Sequence, residues 1–217
     1  MNKKLNTFII DLDGTLINSG PDLIDSLNFV LKKHNIQIVE KEVIGSLVGG
    51  GAKAMLEKAF KYLDIKIDEN NLSIMIKDFI EFYYDNCCKK SFLYPEVLNT
   101  LEFLYKKKIK LGLCTNKRQF LTEKILKELN IDIFFDYVIG SQKGIKLKPN
   151  SEMLEMTLSN LNSNPEESVM VGDSSNDIIP GKKIGMKTVF VTYGFGKICN
   201  AKPDFIKNNF NEILEIL

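Results

Sequence analysis

The sequence has few of the residues on which serine, cysteine and zinc hydrolases depend. Its 217 residues include a single histidine, His34, and four cysteines, Cys87, Cys88, Cys114 and Cys199. The cysteines form no C-x-x-C pair and have no zinc-like spacing to the histidine. We therefore expect reduced thiols in a cytoplasmic protein. Because His34 falls on a predicted amphipathic helix, we expect it to be a surface or packing residue and not a catalytic base.

A strong net charge and a long hydrophobic run are also lacking. The formal net charge is +1, with 44% hydrophobic and 26% charged residues, a composition typical of a soluble globular protein with a real core. We therefore expect no nucleic-acid partner and no binding to an anionic membrane. The apolar run at 8–10 is very short and ends at Asp11, so it predicts neither a signal peptide nor a membrane span.

Short apolar runs alternate with helical patterns from about residue 93 onward. Strands are predicted at 8–10, 109–115, 137–139, 168–171 and 188–191. Apolar residues recur at helical spacing in the intervening segments 98–105, 121–129 and 151–161. Alternation of this kind implies right-handed β-α-β crossovers. We therefore predict an α/β fold with a Rossmann-like, doubly wound and mostly parallel sheet.

The segment 17–92 interrupts this alternation. Helical spacing recurs at 23–31, 52–62 and 73–86, and no strand is convincing between them. The start, Ser19-Gly20-Pro21-Asp22, is typical of a capping box with a proline in the first helical turn. We therefore predict an all-α cap, 17–92, inserted into a catalytic core made of residues 1–16 and 93–217.

Acidic side chains follow two of the predicted strands. Asp11 and Asp13 come directly after the first strand, and Asp173 and Asp177 follow the strand SVMVG within GDSSND. Like charges held close together are unfavourable unless something positive offsets them. Because ligands bind outside the carboxyl ends of the strands in open parallel sheets, we expect these four carboxylates to meet at one edge.

Three further polar residues are predicted to join the carboxylates. Thr115 and Asn116 stand at the end of the strand 109–115, and Lys148 precedes the helix that leads to the SVMVG strand. Clustered carboxylates without a histidine suit a hard cation such as Mg²⁺, which together with a lysine would attract a phosphate. One carboxylate can act as a nucleophile, and a second can act as general acid and base.

The order of these features resembles that of the haloacid dehalogenase superfamily of phosphotransferases. The matching features are DLDGT, a strand ending in threonine, a lysine before a helix, and GDSSND. The resemblance spans the whole chain and puts the helical insert in the position of that superfamily's first type of cap. It implies that Asp11 attacks phosphorus, while Asp13 protonates the leaving oxygen and then activates water.

The same resemblance implies a metal site and a phosphate site. Mg²⁺ would be held by the Asp11 carboxylate, the Asp13 backbone carbonyl and Asp173, with Asp177 orienting a metal-bound water. The implied phosphate ligands are Thr115, the amide of Asn116, and Lys148, which would also neutralise charge on the nucleophile.

The insert and the tail resemble those of phosphoglycolate phosphatases. The similar stretches are SLVGGGAKAMLEKAF at 46–60, PDLIDSLNFVL near the start of the insert, and VTYGFG after the last predicted strand. We therefore expect hydrolysis of 2-phosphoglycolate, a small phosphate ester that carries a carboxylate. Gly50 would let backbone amides approach the substrate and Lys53 would meet its carboxylate. Equally, the glycine run is a flexible connection between helices and Lys53 a surface lysine.

Other functions share this pattern of residues. A β-phosphoglucomutase-like mutase, a pyrophosphatase or a nucleotidase of the same superfamily would have the same core residues. A signalling receiver module also uses an acidic pocket, a threonine and a lysine, but it must keep its phosphate, whereas Asp13 would promote hydrolysis. We expect a small phosphorylated metabolite as the partner and a monomer or homodimer as the assembly.

Overall fold

Two compact units make up the chain. The structure, a computed structural model, describes residues 4–217 and, of Lys41, the backbone alone. One unit consists of the chain up to Asn18 together with Leu93–Leu217, and the other is Ser19–Phe92. The sequence-based boundary ends the first segment at residue 16 instead of Asn18.

The first unit is built on a six-stranded parallel sheet. The order of neighbouring strands is β5-β4-β1-β6-β7-β8, while β2 and β3 pair with each other. Each pair of neighbours in the large sheet is parallel, so the predicted α/β class is confirmed. The strands, in chain order, are β1 (Thr7–Ile10), β2 (Ile17–Asn18), β3 (Phe92–Leu93), β4 (Lys110–Arg118), β5 (Tyr137–Ser141), β6 (Ser168–Gly172), β7 (Lys187–Val191) and β8 (Phe205–Lys207).

The α-helices divide evenly between the two units. The first four belong to the second unit, which contains no complete strand among its described residues, and the last four pack with the parallel sheet. No helix within residues 4–217 has both the length and the apolar composition needed to cross a lipid bilayer. The α-helices, in chain order, are α1 (Gly20–Lys33), α2 (Ile44–Leu47), α3 (Gly51–Tyr62), α4 (Glu69–Asn86), α5 (Val97–Lys106), α6 (Gln119–Glu128), α7 (Glu152–Asn160) and α8 (Ser175–Lys183).

The central strands of the sheet are fully buried. Every residue of β1 (TFII) and β6 (SVMVG) is buried, as expected for parallel strands that are covered on both faces. Ile9 of β1 and Met170 of β6 share a core cluster with Met153, Leu154 and Leu158 of α7. These packed strands form a rigid platform for the loops at their carboxyl ends.

The edge strand β8 is not predicted by the sequence pattern. It has only three residues, FIK, and none of them is buried, so it lacks the buried apolar run of the central strands. Asp204, in the loop that precedes β8, contacts the neighbouring strand β7, because its Oδ2 accepts hydrogen bonds from N (2.8 Å) and Oγ1 (3.0 Å) of Thr188. A tertiary contact therefore contributes to the placement of this edge.

The predicted capping box at the start of α1 is wrong. Ser19 has nearly helical backbone angles (φ −90°, ψ −2°) and makes no capping hydrogen bond through its side chain. The Asp22 carboxylate instead accepts hydrogen bonds from Lys90 N (3.0 Å), Ser91 N (2.8 Å) and Ser91 Oγ (2.6 Å). These donors occupy the oxygens that a capping box would need, and they tie the first turn of α1 to the end of the helical unit.

His34 lies in the helical unit and links two of its helices. Its Nε2 is 2.9 Å from Oδ2 of Asp78 on α4, and Lys33 Nζ is 2.8 Å from Oδ1 of the same carboxylate. The hydrogen bond to Lys33, partly opposed by burial, holds the pKa of Asp78 below its usual value. His34 therefore has a packing role.

Candidate active site

The register of the central strands brings the predicted residues to one edge. Ile10, the last residue of β1, is level with Leu113 of β4 and with Val171 of β6. Asp11 follows immediately, and its N–H donates to the carbonyl of Val171 at 3.0 Å. Asp173 directly follows Gly172, the last residue of β6. Parallel pairing therefore places the acidic loop ends side by side.

Lys148 joins the nucleophile candidate Asp11 to Asp177. Lys148 is only 4% exposed, and its Nζ donates to Asp11 Oδ1 (2.8 Å), Asp177 Oδ1 (2.6 Å) and the carbonyl of Cys114 (2.6 Å). These three contacts use all three donors of an ammonium group. Burial alone would lower the lysine pKa, but the two carboxylates raise it above its ordinary value. The lysine is thus a fixed positive charge.

Asp11, Asp173 and Asp177, here called the acidic cluster, are buried together. One carboxylate oxygen from each lies within 4.8 Å of the others. Burial raises the pKa of Asp11 to about 7 although Lys148 opposes this, and burial with the charges of its two acidic neighbours raises the pKa of Asp173 to about 8. An all-oxygen donor set whose charges are this poorly compensated fits a hard divalent cation.

The oxygens of the cluster are not equally available to a cation. Both oxygens of Asp177 are engaged, since Oδ1 accepts from Lys148 and Oδ2 accepts from N (3.1 Å) and Oγ (2.8 Å) of Ser174. Oδ2 of Asp173 accepts from two main-chain amides, and its Oδ1 has no hydrogen bond from any described residue. Asp173 is therefore better suited than Asp177 to direct ligation.

Asp13 is paired with a lysine that the sequence analysis misses. Lys117 Nζ lies 2.7 Å from Oδ1 and 2.8 Å from Oδ2 of Asp13. The available signal is the position of this lysine, two residues after the predicted strand-end threonine Thr115 in CTNK. The ion pair fixes the carboxylate that we expect to serve as general acid and base.

Gly14 is required by the close approach of Asp173. It has a positive φ of 83°, and a Cβ atom at this position would lie 2.1 Å from Oδ2 of Asp173. No side chain fits there without moving the carboxylate. The glycine of DLDGT therefore allows both the turn and the packing of the two acidic loops.

Thr115 and Asn116 lie where the sequence predicts but make contacts that it does not. Thr115 is buried, and its Oγ1 accepts a hydrogen bond from Lys117 N at 3.2 Å. The Asn116 side chain clamps the main chain of Lys148, with Oδ1 accepting from Lys148 N (2.9 Å) and Nδ2 donating to Lys148 O (2.8 Å). Asn116 thus positions the buried lysine, and phosphate binding by its amide stays a prediction.

The two cap residues stay predictions as well. Gly50 precedes α3 with a positive φ of 85°. The side chain of Lys53 is 55% exposed, and its Nζ is 3.6 Å from Glu57 and 3.8 Å from Glu69. Exposed pairs of this length hold a lysine weakly, so Lys53 keeps a mobile charge.

The parallel core and the carboxylate–lysine cluster at its edge define an α/β enzyme suited to an anionic substrate. The chain belongs to the haloacid dehalogenase-like hydrolase family, whose profile matches residues 8–191. It is 32% identical to a phosphoglycolate phosphatase of Haemophilus influenzae, over 100% of both chains. A phosphoglycolate phosphatase of Aquifex aeolicus is also 32% identical, over 98% of this chain and 97% of that one.

A solved structure agrees with these sequence matches. The crystal structure of a predicted phosphoglycolate phosphatase from Haemophilus somnus has a TM-score of 0.91 and 31% identity, and the match covers 99% of this chain and 98% of that one. The predicted family and the predicted enzyme class, a phosphatase, are thereby confirmed.

Proposed function

We propose that the protein is a Mg²⁺-dependent phosphomonoester hydrolase that converts 2-phosphoglycolate to glycolate and phosphate through an aspartyl-phosphate. The observation that carries this proposal is the contact of buried Lys148 with both Asp11 and Asp177 inside the acidic cluster. Phosphoryl transfer depends mainly on positioning and on stabilisation of charge at the phosphoryl oxygens. A fixed ammonium beside a carboxylate nucleophile supplies both.

In the first step Asp11 attacks the phosphorus atom of the ester. Lys148 holds Oδ1 of Asp11, so Oδ2 is the oxygen in a position to attack. A bond forms between Oδ2 and phosphorus, and the bond between phosphorus and the ester oxygen breaks. Asp13 gives its proton to the departing oxygen, which leaves as the hydroxyl of glycolate.

In the second step Asp13 acts as a base. It takes a proton from a water molecule, whose oxygen attacks phosphorus while the bond from phosphorus to Asp11 breaks. This releases phosphate and regenerates the carboxylate of Asp11 and the protonated Asp13. Lys117 contacts both oxygens of Asp13 and thus limits the positions that the carboxylate can take.

The acidic cluster is the proposed metal site. Asp11, Asp173 and the backbone carbonyl of Asp13 would hold Mg²⁺, with Asp177 acting through a water because both of its oxygens are already engaged. When bound, Mg²⁺ supplies electrostatic stabilisation of the negative charge on the transferring phosphoryl group.

The remaining assignments concern the substrate. Thr115 Oγ1 and the amide of Asn116 are proposed to bind phosphate oxygens, and Lys148 to balance their charge. Gly50 of the helical unit is proposed to let backbone amides approach the substrate, and Lys53 to contact the carboxylate of 2-phosphoglycolate. The names of the full-length relatives, which are phosphoglycolate phosphatases at 32% identity, support this choice of substrate.

The substrate assignment is tested by the rate of phosphate release across a panel. We expect kcat/KM for 2-phosphoglycolate to exceed that for glucose phosphates, nucleoside monophosphates and pyrophosphate by about tenfold or more, or about 1.4 kcal/mol. We expect EDTA to abolish release and MgCl₂ to restore it. A flat profile that still needs Mg²⁺ would contradict the substrate alone, and release that ignores EDTA would contradict the metal dependence.

The covalent intermediate is tested with an Asp13→Asn variant. The introduced amide can neither protonate the leaving oxygen nor take the proton from water, so both steps slow, and an aspartyl-phosphate that does form is hydrolysed more slowly than in the parent. Mass spectrometry of protein digested after brief exposure to ³²P-labelled substrate should place the label on Asp11. A label on any other residue would contradict the assignment of the nucleophile.

A further inference from the structure

The four residues Tyr193–Gly196, here called the YGFG segment, contact Asp173 through their main chain. The N–H groups of Phe195 and Gly196 both donate to Oδ2 of Asp173, each at 2.8 Å. The segment follows β7 and contributes no side chain to the chemistry described above. Two main-chain donors on one carboxylate oxygen fix the orientation of that carboxylate.

The other end of the YGFG segment is anchored to the loop of the nucleophile. The hydroxyl of Tyr193 donates to the carbonyl of Thr15 at 2.8 Å. The Tyr193 ring packs against Tyr94 with 4.5 Å between ring centroids. Thr15 belongs to the same turn as Asp13 and Gly14, so the segment connects the two loops that carry the acidic cluster.

Gly194 lies too close to these loops to carry a side chain. A Cβ atom there would be 2.3 Å from the carbonyl oxygen of Gly14 and 2.4 Å from Oδ2 of Asp173. The first of these atoms is main chain and cannot move without moving the turn. Any side chain at position 194 must therefore push the segment and its two amides away from Asp173.

We propose that the YGFG segment is a positioning element for the metal-binding carboxylate of Asp173. Its amides engage Oδ2 and leave Oδ1 as the oxygen offered to the cation, while Tyr193 keeps the segment in register with the nucleophile loop. A carboxylate oriented in advance binds a metal ion more tightly than one that must be ordered when the ion arrives. This inference rests on the proposed dependence on Mg²⁺.

The test is the affinity for Mg²⁺ of the full chain without substrate. Thermal unfolding is followed while MgCl₂ is added to protein freed of metal with EDTA, because an ion that binds only the folded state raises its stability as the ion concentration exceeds Kd. We expect Gly194→Ala to raise the Kd for Mg²⁺ by about tenfold or more, as lost support of a ligand does. In turnover, the apparent KM for Mg²⁺ should rise, while kcat at saturating Mg²⁺ stays near that of the parent.

Tyr193→Phe is a milder second variant that removes one hydrogen bond and keeps the ring. We expect it to raise the Kd for Mg²⁺ by about threefold, roughly the value of one hydrogen bond. Gly45→Ala, where an added Cβ meets nothing within 4 Å, and Tyr105→Phe, at an exposed tyrosine of α5, are the matched controls. Both should bind Mg²⁺ like the parent.

The outcomes separate this inference from the proposed function. If the parent itself gains no stability from MgCl₂, the proposed metal dependence is wrong and the inference falls with it. If the parent responds and a folded Gly194→Ala protein has the same Kd, the inference alone is wrong. Should Gly194→Ala lose its circular dichroism signal, an unchanged Kd in Tyr193→Phe overturns the inference and a raised one supports it.

Discussion

The two units of the chain differ in how their buried carboxylates are stabilised. In the helical unit, the carboxylate of Asp22 is buried and accepts hydrogen bonds from the main chain of Lys90 and Ser91 and from the hydroxyl of Ser91. In the α/β unit, the acidic cluster gathers three carboxylates within 4.8 Å. Its one buried cationic partner is Lys148, as far as the described residues show.

The difference separates an acid that stabilises the fold from a cluster that we propose to be functional. Hydrogen bonds to a buried carboxylate replace those it made with water, so Asp22 stabilises the fold around it. In the acidic cluster, burial raises the pKa values of Asp11 and Asp173, and the repulsion between the neighbouring carboxylates adds to this effect. Perturbed groups of this kind gather at sites that bind ligands or transfer protons. Substitutions in each unit test this distinction.

The largest effect is expected at Asp11. Asn in its place keeps the size of the side chain but removes the proposed nucleophile, and loss of a covalent nucleophile lowers kcat by about 10⁴-fold or more. Phosphate release at saturating substrate and Mg²⁺ measures the change. Because the variant also removes one buried negative charge, we expect it to be at least as stable as the parent in EDTA. A variant that keeps a tenth of the activity would contradict the role of Asp11.

Lys148→Met is expected to have the next largest effect. It removes the charge that is proposed to face the phosphate, and loss of one such electrostatic contact lowers kcat by about 10²–10³-fold. It also leaves Asp11 and Asp177 buried without their cation, and breaking a buried ion pair costs about 3–5 kcal/mol of unfolding free energy. Activity assays and urea unfolding measure the two losses.

Lys106→Met is the control for Lys148→Met. Lys106 is exposed and pairs with Glu102 one turn away on α5, at 3.2 Å. An exposed helical pair of this kind is worth about 0.3–0.5 kcal/mol. Equal losses of unfolding free energy in the two variants would mean that the buried ion pairs of Lys148 contribute no more to stability than an exposed pair on a helix.

The sequence predicts which residues meet at this edge, both those at strand ends and Lys148, which precedes a helix. Asp11 and Asp173 directly follow apolar runs, and parallel pairing alone brings such strand ends together. The pairing of Lys117 with Asp13 is different, since it joins residues 104 positions apart. It depends on how the end of β4 meets the loop that follows β1. No local pattern encodes a contact of that kind.

The same distinction explains the errors in the fold. Six of the eight described α-helices and the central strands follow from their own periodicity, whereas α2 and α8 are not predicted by it. The edge strand β8 is held by the pairing of its backbone with β7. The capping box at Ser19 fails because donors near residue 90 compete for Asp22. The local sequence predicts most of the helices and strands and the acidic residues. Tertiary contacts determine which groups those acidic residues bind.

A smaller effect is expected at Asp22 in the helical unit. Asp22→Ala leaves the N–H groups of Lys90 and Ser91 without their buried acceptor, which costs about 1–3 kcal/mol of unfolding free energy. Urea unfolding measures this loss. Asp25→Ala removes the partly exposed carboxylate that pairs with the Lys90 ammonium and should cost less than about 1 kcal/mol. Equal losses would contradict the structural role of Asp22.

The smallest effect is expected at Lys53, because its side chain is exposed and exposed ion pairs contribute little to binding. If Lys53 meets the carboxylate of 2-phosphoglycolate, Lys53→Ala should raise KM for this substrate by about two- to fivefold, the range of an exposed ion pair. KM for ethyl phosphate, which has no carboxylate, should not change, and neither should kcat.

Lys61→Ala supplies the matched control for Lys53→Ala, because Lys61 is an exposed lysine in the last turn of the same helix, α3. A general effect of cap charge on an anionic substrate would raise KM for both esters in both variants. A specific contact would raise KM for 2-phosphoglycolate in Lys53→Ala alone. An unchanged KM in that variant would leave Lys53 a surface lysine, and the recognition of the substrate carboxylate would have to be sought in main-chain amides such as those beside Gly50.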